Sequence, residues 1–213
     1  EILECGIPRN AIFVDTSRHE AIRHRIAQQY GFDASSRIVL YAPTFRVDHS
    51  LAPYAIDWQR VIPALAHMLH SDNVTVLVRM HPNLIGRVDV SSLVAYPNVV
   101  DATRYHDMQE LLAAADILIT DYSSSMFDFA MQRRPCILYA TDARDYDRGF
   151  YFDFSELPFP LAESEEQLIA TILHFDNATY ATALDDFFAT RVGLAEDGHA
   201  SRALAHWMTT HRL

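Results

Sequence analysis

Five short, almost wholly apolar runs punctuate the chain: Arg37 to Ala42, Asn73 to Met80, Asn98 to Ala102, Ile117 to Ile119 and Cys136 to Ala140. Runs of this length, rich in Val, Ile and Leu and without polar alternation, suit strands covered on both faces, as in a parallel sheet. Parallel strands need crossovers, and the segments between the runs supply them. A helix is predicted from Thr16 or Ser17 to Tyr30, closed by Gly31, with Ile22, Ile26 and Ala27 on one face. Others run from Asp57 to about His70, with Pro63 either kinking the helix or marking a later start, from Met108 to Ala115, and from Phe127 to Arg133 before Pro135. The tail reads as three helices, Ser164 to Phe175, Tyr180 to Arg191 and Ser201 to His211. No repeat, low-complexity tract or linker divides the 213 residues, so the expectation is one α/β domain, a doubly wound parallel sheet.

Right-handed crossovers place every strand's carboxyl end on one rim. That rim gathers the polar loop from Thr44 to Tyr54, the turn Arg79 to Pro82, the turn Asp121 to Ser125, and the polar and aromatic loop from Asp142 to Tyr151. The third is the most suggestive, since Asp121 and three serines, Ser123, Ser124 and Ser125, stand between an apolar run and a helix. Free backbone N–H groups and hydroxyls at a helix entrance attract phosphate, and ligands of open α/β sheets sit at this edge. A well-capped helix with no ligand is the other reading. Arg79 and His81 leave a strand end one residue apart, so their side chains share a side, and a cation beside an imidazole suits a diphosphate. Arg46 follows another strand end. For each, a surface residue bonded to backbone is the alternative. Asp121 and Asp128 form a possible carboxylate pair, with capping and hydrogen bonds to ligand hydroxyls favoured over proton transfer. The aromatics Tyr146, Phe150, Tyr151, Phe152 and Phe154 are read as core rather than a lid.

Composition narrows the chemistry. All seventeen Lys plus Arg positions are arginine, which excludes a Walker lysine, a Schiff base and a kinase strand lysine within this segment. Six glycines, none spaced G-x-G-x-x-G, exclude the dinucleotide fingerprint. The serines lack a G-x-S-x-G elbow, and eleven histidines form no H-E-x-x-H or zinc-finger spacing, so neither a hydrolase nucleophile, a metal nor a cofactor is expected. A net charge of −11 argues against nucleic acid as a partner. Cys5 and Cys136 lie far apart, the second in a predicted buried strand, which points to a reduced, cytosolic setting. No window reaches the roughly 18 apolar residues of a membrane span. The opening Glu1, without an initiator methionine, suggests a piece of a longer protein.

Six strings in order carry a resemblance: Gly6 to Asn10 (GIPRN), Leu40 to Arg46 (LYAPTFR), Arg79 to Pro82 (RMHP), Asp116 to Ser124 with Phe127 and Asp128, Arg148 to Phe150 (RGF), and Asp197 to Ala200 (DGHA). Together the sequence resembles, nearly end to end, the carboxyl-terminal half of the CDP-glycerol:poly(glycerophosphate) glycerophosphotransferases of teichoic acid and capsule synthesis. The resemblance implies a GT-B architecture of two Rossmann-like domains, this being the donor-binding one, with the tail helices from about residue 164 packing on it or on an absent amino-terminal domain. It implies a CDP-alcohol donor such as CDP-glycerol, a lipid-linked polyol-phosphate acceptor, and CMP as the leaving product. The site residues carried over are Thr44, Arg46, Arg79, His81 and Ser123 to Ser125 for the diphosphate, and Asp121 and Asp128 for ordering the turn or meeting donor hydroxyls. His81 is the one candidate for stabilising the reacting phosphate, the general base being expected in the absent domain. The place implied is cytoplasmic, peripheral at the inner face of the membrane. Where an aspartate is expected after Arg9 and Asn10 the chain has Ala11, which weakens a role for the entrance turn. The alternatives are a GT-B domain for a UDP- or CMP-sugar and a non-catalytic nucleotide-binding or interaction module.

Overall fold

The computed structural model describes residues 3–46, 50, 52–87, 89–143, 152–193 and 196–211. Six strands, β1 (Arg37–Tyr41), β2 (Val74–Val78), β3 (Val99–Asp101), β4 (Ile117–Thr120), β5 (Cys136–Tyr139) and β6 (Leu161–Ala162), form one sheet. Its order is β3-β2-β1-β4-β5-β6 and every pairing is parallel. The helices are α1 (Ala11–Val14), α2 (His19–Tyr30), α3 (Trp58–Leu69), α4 (Met108–Ala114), α5 (Ser125–Ala130), α6 (Glu165–Leu173), α7 (Asn177–Phe187) and α8 (Ala200–Thr210).

Strand side chains alternate between faces, and the two cores divide accordingly. Ile38, Leu40, Leu77, Leu118, Cys136 and Leu138 pack with α2, α4, α5 and α7, whereas Val39, Tyr41, Val76, Ile117, Ile119 and Ile137 pack with α3 and α6. The sheet is doubly wound, which is why its strands read as unbroken apolar runs. The chain passes from β1 outward through β2 to β3, then returns to lay β4 against the other side of β1. Such a reversal splays the loops after the two central strands apart and opens a crevice at their carboxyl ends.

Element boundaries follow local chemistry. Asp15 accepts from Ser17 N and holds a 3-10 turn, Thr16–Arg18, so α2 starts at His19 rather than at Thr16 or Ser17. It ends on Gly31 in the left-handed region, φ 73°. Asp57 caps α3, and Pro63 lies inside that helix rather than opening it. The helix expected from Phe127 begins at Ser125 and ends at Ala130, because Arg133 takes up φ 58° and turns the chain into β5. Strand β6 escaped the sequence reading, being two residues long. Asp176 caps α7, which starts at Asn177, three residues ahead of the expected Tyr180. Phe152 and Phe154 pack against the core as expected, Phe152 with its ring 5.4 Å from that of Phe187. Tyr146, Arg148, Phe150 and Tyr151 lie outside the described residues. No helix among the described residues is long and apolar enough to cross a membrane.

Candidate functional site

At the crevice between β1 and β4 lies a cavity of about 580 Å³. The loop after β1 contributes Thr44 and Phe45, the turn after β2 Arg79 and His81, and the turn after β4 Ser123, Ser124 and Ser125; Gln109 of α4 and Asp128 of α5 form its far end. Seven of the nine residues singled out in the sequence therefore meet around one space. Arg46 and Asp121 do not line it.

Those two form the scaffold behind it. Arg46 is 9% exposed and Asp121 1%. The guanidinium donates Nη1–H to Asp121 Oδ2 at 2.9 Å and to the Thr44 carbonyl at 2.6 Å, and grips Asp142 with Nε at 2.6 Å and Nη2 at 2.8 Å. It also stands over the rings of Tyr122 and Tyr54, 4.8 and 5.4 Å from their centroids. Arg46 was expected to grip a diphosphate, yet its donors are turned toward protein carboxylates. Asp121 was expected as a cap; the N-cap of α5 is Ser124, and Asp121 instead accepts from Thr44 N at 2.8 Å and Tyr122 N at 2.6 Å. The aspartate thus ties the β1 loop to the β4 turn. Burial pushes the Asp121 carboxyl up against the pull of Arg46. Burial also works on Asp142, but Arg46 and the Tyr122 hydroxyl, 2.8 Å away, hold its pKa below the usual value.

Arg79 is built differently. Its Nη2 donates to the Tyr105 carbonyl at 3.2 Å, its Nε is buried without an acceptor, and it makes no ion pair among the described residues. Burial lowers its pKa, so its charge is only partly compensated. A half-buried guanidinium of this kind favours an anion arriving in the cavity. His81 opens the 3-10 turn Pro82–Leu84, and its Nδ1 accepts from Asn83 N at 3.2 Å, which puts the neutral ring's proton on Nε2. Its ring packs 4.7 Å from Phe45. Ser123 and Ser125 share a hydroxyl hydrogen bond of 2.8 Å. Among the described residues the N–H groups of Ser123 and Ser124 meet no acceptor. This end of the cavity is rich in donors.

The opposite end is an acceptor. Asp128 is 8% exposed and receives Arg9 Nε at 3.2 Å, Asn10 Nδ2 at 2.9 Å and Gln109 Nε2 at 2.9 Å. The entrance turn thus reaches the edge of the site through Asn10, one residue before Ala11. Asn10, Gln109, Tyr122 and Asp142 were not singled out in the sequence. Asn10 and Asp142 stand in segments already noted, whereas Gln109 carries no sequence signal and is revealed only by the crossover to α4. No group of three or more His, Cys, Asp or Glu among the described residues is placed to hold a metal.

Comparison with known proteins then gives a consistent result. The profile of the CDP-Glycerol:Poly(glycerophosphate) glycerophosphotransferase family matches residues 1–209. A teichoic acid glycerol-phosphate transferase of Staphylococcus aureus (strain NCTC 8325 / PS 47) is 34% identical over 212 residues, 96% of this chain and 53% of that protein. A teichoic acid poly(ribitol-phosphate) polymerase of Bacillus spizizenii (strain ATCC 23059 / NRRL B-14472 / W23) is 30% identical over 179 residues, 80% of this chain and 28% of that protein. The structure of the wall teichoic acid polymerase TagF superposes with TM-score 0.77 at 30% identity, covering 99% of this chain and 52% of that one; a variant of that polymerase has been solved after a soak with CDPG. The chain spans about half the length of the first of these relatives and less of the second. With its profile matched almost end to end and its Rossmann-like sheet shared, this chain belongs to the CDP-glycerol:poly(glycerophosphate) glycerophosphotransferase family.

Proposed function

We propose that this chain is the donor-holding half of a two-domain GT-B enzyme that transfers glycerol phosphate, or a related polyol phosphate, from a CDP-alcohol to a growing polymer. One observation carries the reading: Arg79, which makes no ion pair among the described residues, stands with His81 and the donor-rich serine turn around one cavity at the switch point of the sheet, in a chain of this family. Arg79, His81, the hydroxyls of Ser123 to Ser125 and the amides of Ser123 and Ser124 hold the diphosphate. Arg46 and Asp121 fix the two loops that carry them.

In the reaction, an acceptor hydroxyl oxygen bonds to the β-phosphorus and the bond from that phosphorus to the bridging oxygen breaks. CMP leaves with the electron pair, and the hydroxyl proton passes to a general base in the other half of the protein. Positioning and charge neutralisation dominate such a displacement, and guanidinium, imidazole N–H and main-chain amides supply both without lysine. The acceptor is a lipid-linked polyol phosphate, the enzyme works at the cytoplasmic face of a membrane, and α8 braces the other half. The segment alone binds donor weakly and does not turn over.

Calorimetry of the full-length protein with CDP-glycerol tests the site. Removing a charge-assisted phosphate contact costs about 1.5–3 kcal/mol, so Arg79→Ala weakens donor binding roughly ten- to hundredfold. His81→Ala weakens it in the same direction. Unchanged affinity in both variants defeats the assignment, and a larger rise in melting temperature with UDP than with CDP points instead to a sugar nucleotide.

A further inference from the structure

The first turn of α4 sets Gln109 between two cavities, the 580 Å³ cleft and a second, polar one of about 660 Å³ bordered by Arg9, Asp15 and His199. The direction of its amide follows from its neighbours. Gln109 Nε2 stands 2.9 Å from Asp128 Oδ2 and 3.2 Å from Asn10 Oδ1. A carboxylate only accepts, so the atom facing it is the NH₂ group. Asn10 obeys the same rule, with Nδ2 2.9 Å from Asp128 Oδ1, which leaves its own oxygen to accept from Gln109. Both amide hydrogens of Gln109 are thereby used. Its Oε1 accepts from nothing among the described residues and is not one of the buried atoms lacking a partner, so it opens to solvent.

We infer that Gln109, which borders both cavities, turns Oε1 into the 580 Å³ cleft, where it accepts a hydrogen bond from a hydroxyl of the donor and determines how the CDP-alcohol lies; the inference rests on the function proposed above. A phosphate gains nothing here, because Oε1 offers it no hydrogen and the nearby cation, Arg9, is already paired with Asp128. The anionic part of the ligand therefore lies toward Arg79 and the hydroxyl-bearing part toward Gln109. Ribose and polyol both carry hydroxyls, and the chemistry at Oε1 is the same for either. Gln109 is thus a specificity-determining residue, and Asp128 and Asn10 are positioning residues that fix its direction.

Calorimetry on the full-length protein separates the sources, using CDP-glycerol, its 2′,3′-dideoxyribose analogue, and CDP-propanol, which lacks the free polyol hydroxyls. One neutral hydrogen bond corresponds to a roughly three- to tenfold loss for one of the two deoxygenated ligands in the unsubstituted protein. Gln109→Met, which keeps the chain's bulk without the carbonyl, then binds that ligand and CDP-glycerol equally. Loss with the dideoxyribose ligand assigns the contact to ribose, and loss with CDP-propanol to the polyol. Gln109→Leu, which also lacks the carbonyl, erases the discrimination in the same way and provides a second variant should the first not fold. No discrimination in the unsubstituted protein, or discrimination that survives in either folded variant, overturns the inference. If that happens while Arg79→Ala still weakens CDP-glycerol, the proposed function stands and only the role of Gln109 falls; absence of CDP-glycerol binding removes both.

Discussion

Asp142 shows how one side chain links acid stability to the rim. Its carboxylate receives two hydrogen bonds from Arg46 and one from Tyr122, and with a side chain 22% exposed it is screened only in part. Burial alone raises its pKa, but the guanidinium and the phenol hold it below the ordinary value near 3.9. A carboxyl whose pKa is lower folded than unfolded contributes stability that is complete above the unfolded value and disappears as pH falls through the folded one. Asp142→Asn, unable to carry the charge, is therefore expected to be less stable than the unsubstituted protein at pH 7, by about 1.5–3 kcal/mol for charge-assisted bonds. The gap begins to narrow below about pH 4, the unfolded value, and closes as pH falls through the lower folded value, where the natural aspartate is also protonated. Urea titrations of both proteins between pH 7 and pH 3 check this, and a gap that stays constant to pH 3 would show that Arg46 does not depend on the charge of residue 142.

Helix α4 carries a second prediction, because its cap and a candidate site residue share one turn. Asp107 Oδ1 accepts from Gln109 N at 2.8 Å and Glu110 N at 3.3 Å, satisfying two donors the helix cannot. Asp107→Ala is expected to cost about 1 kcal/mol and to weaken CDP-glycerol binding by loosening Gln109, whereas Asp107→Asn, an equally good cap, restores both. A urea midpoint unmoved in the alanine variant would show that the turn is held otherwise. Elements like α4 explain what was readable in the sequence. The long strands were, because Val39 and Val76 on one face and Leu40 and Leu77 on the other must all be apolar in a sheet covered twice. Leu161–Ala162 was not, since two residues carry no periodicity. The same limit applies to the site. Arg79 and His81 were legible because alternation along an extended strand end fixes their side, but nothing local distinguishes a guanidinium that lines the cavity from one, like Arg46, that faces Asp121 and Asp142. That distinction is made by residues 75 and 96 positions away in the chain, and Gln109 meets Asn10 across 99.

At the scale of the molecule, the sheet explains where the cleft lies, and α8 bears on what else the protein contains. Ala200 is the buried residue of α8, while Leu204 and Met208 are 37% and 44% exposed and Trp207, stacked 4.5 Å from His211, is half-buried. Leu204 and Met208 stand one turn apart, on the same side of the helix. An apolar stripe of this kind on a terminal helix is suited to lie against another body, and relatives of this chain are about twice its length or more. The brace proposed for the longer protein has a measurable consequence. If α8 stays solvated, replacing Leu204 and Met208 with glutamate changes stability by no more than about 0.5 kcal/mol per site, as surface substitutions do. If the stripe is covered by the other half, each substitution forfeits part of the roughly 1.5–3 kcal/mol that burying such a side chain contributes and places a charge where water is excluded. The full-length double variant Leu204→Glu, Met208→Glu is then expected to lose at least 2 kcal/mol by urea titration, an estimate of about 1 kcal/mol or more per site. It should also lose transferase activity beyond its loss of donor affinity, because the acceptor side would no longer be held across from Arg79. A double variant that unfolds at the same urea concentration and turns over normally would leave α8 a solvated appendage and remove the brace.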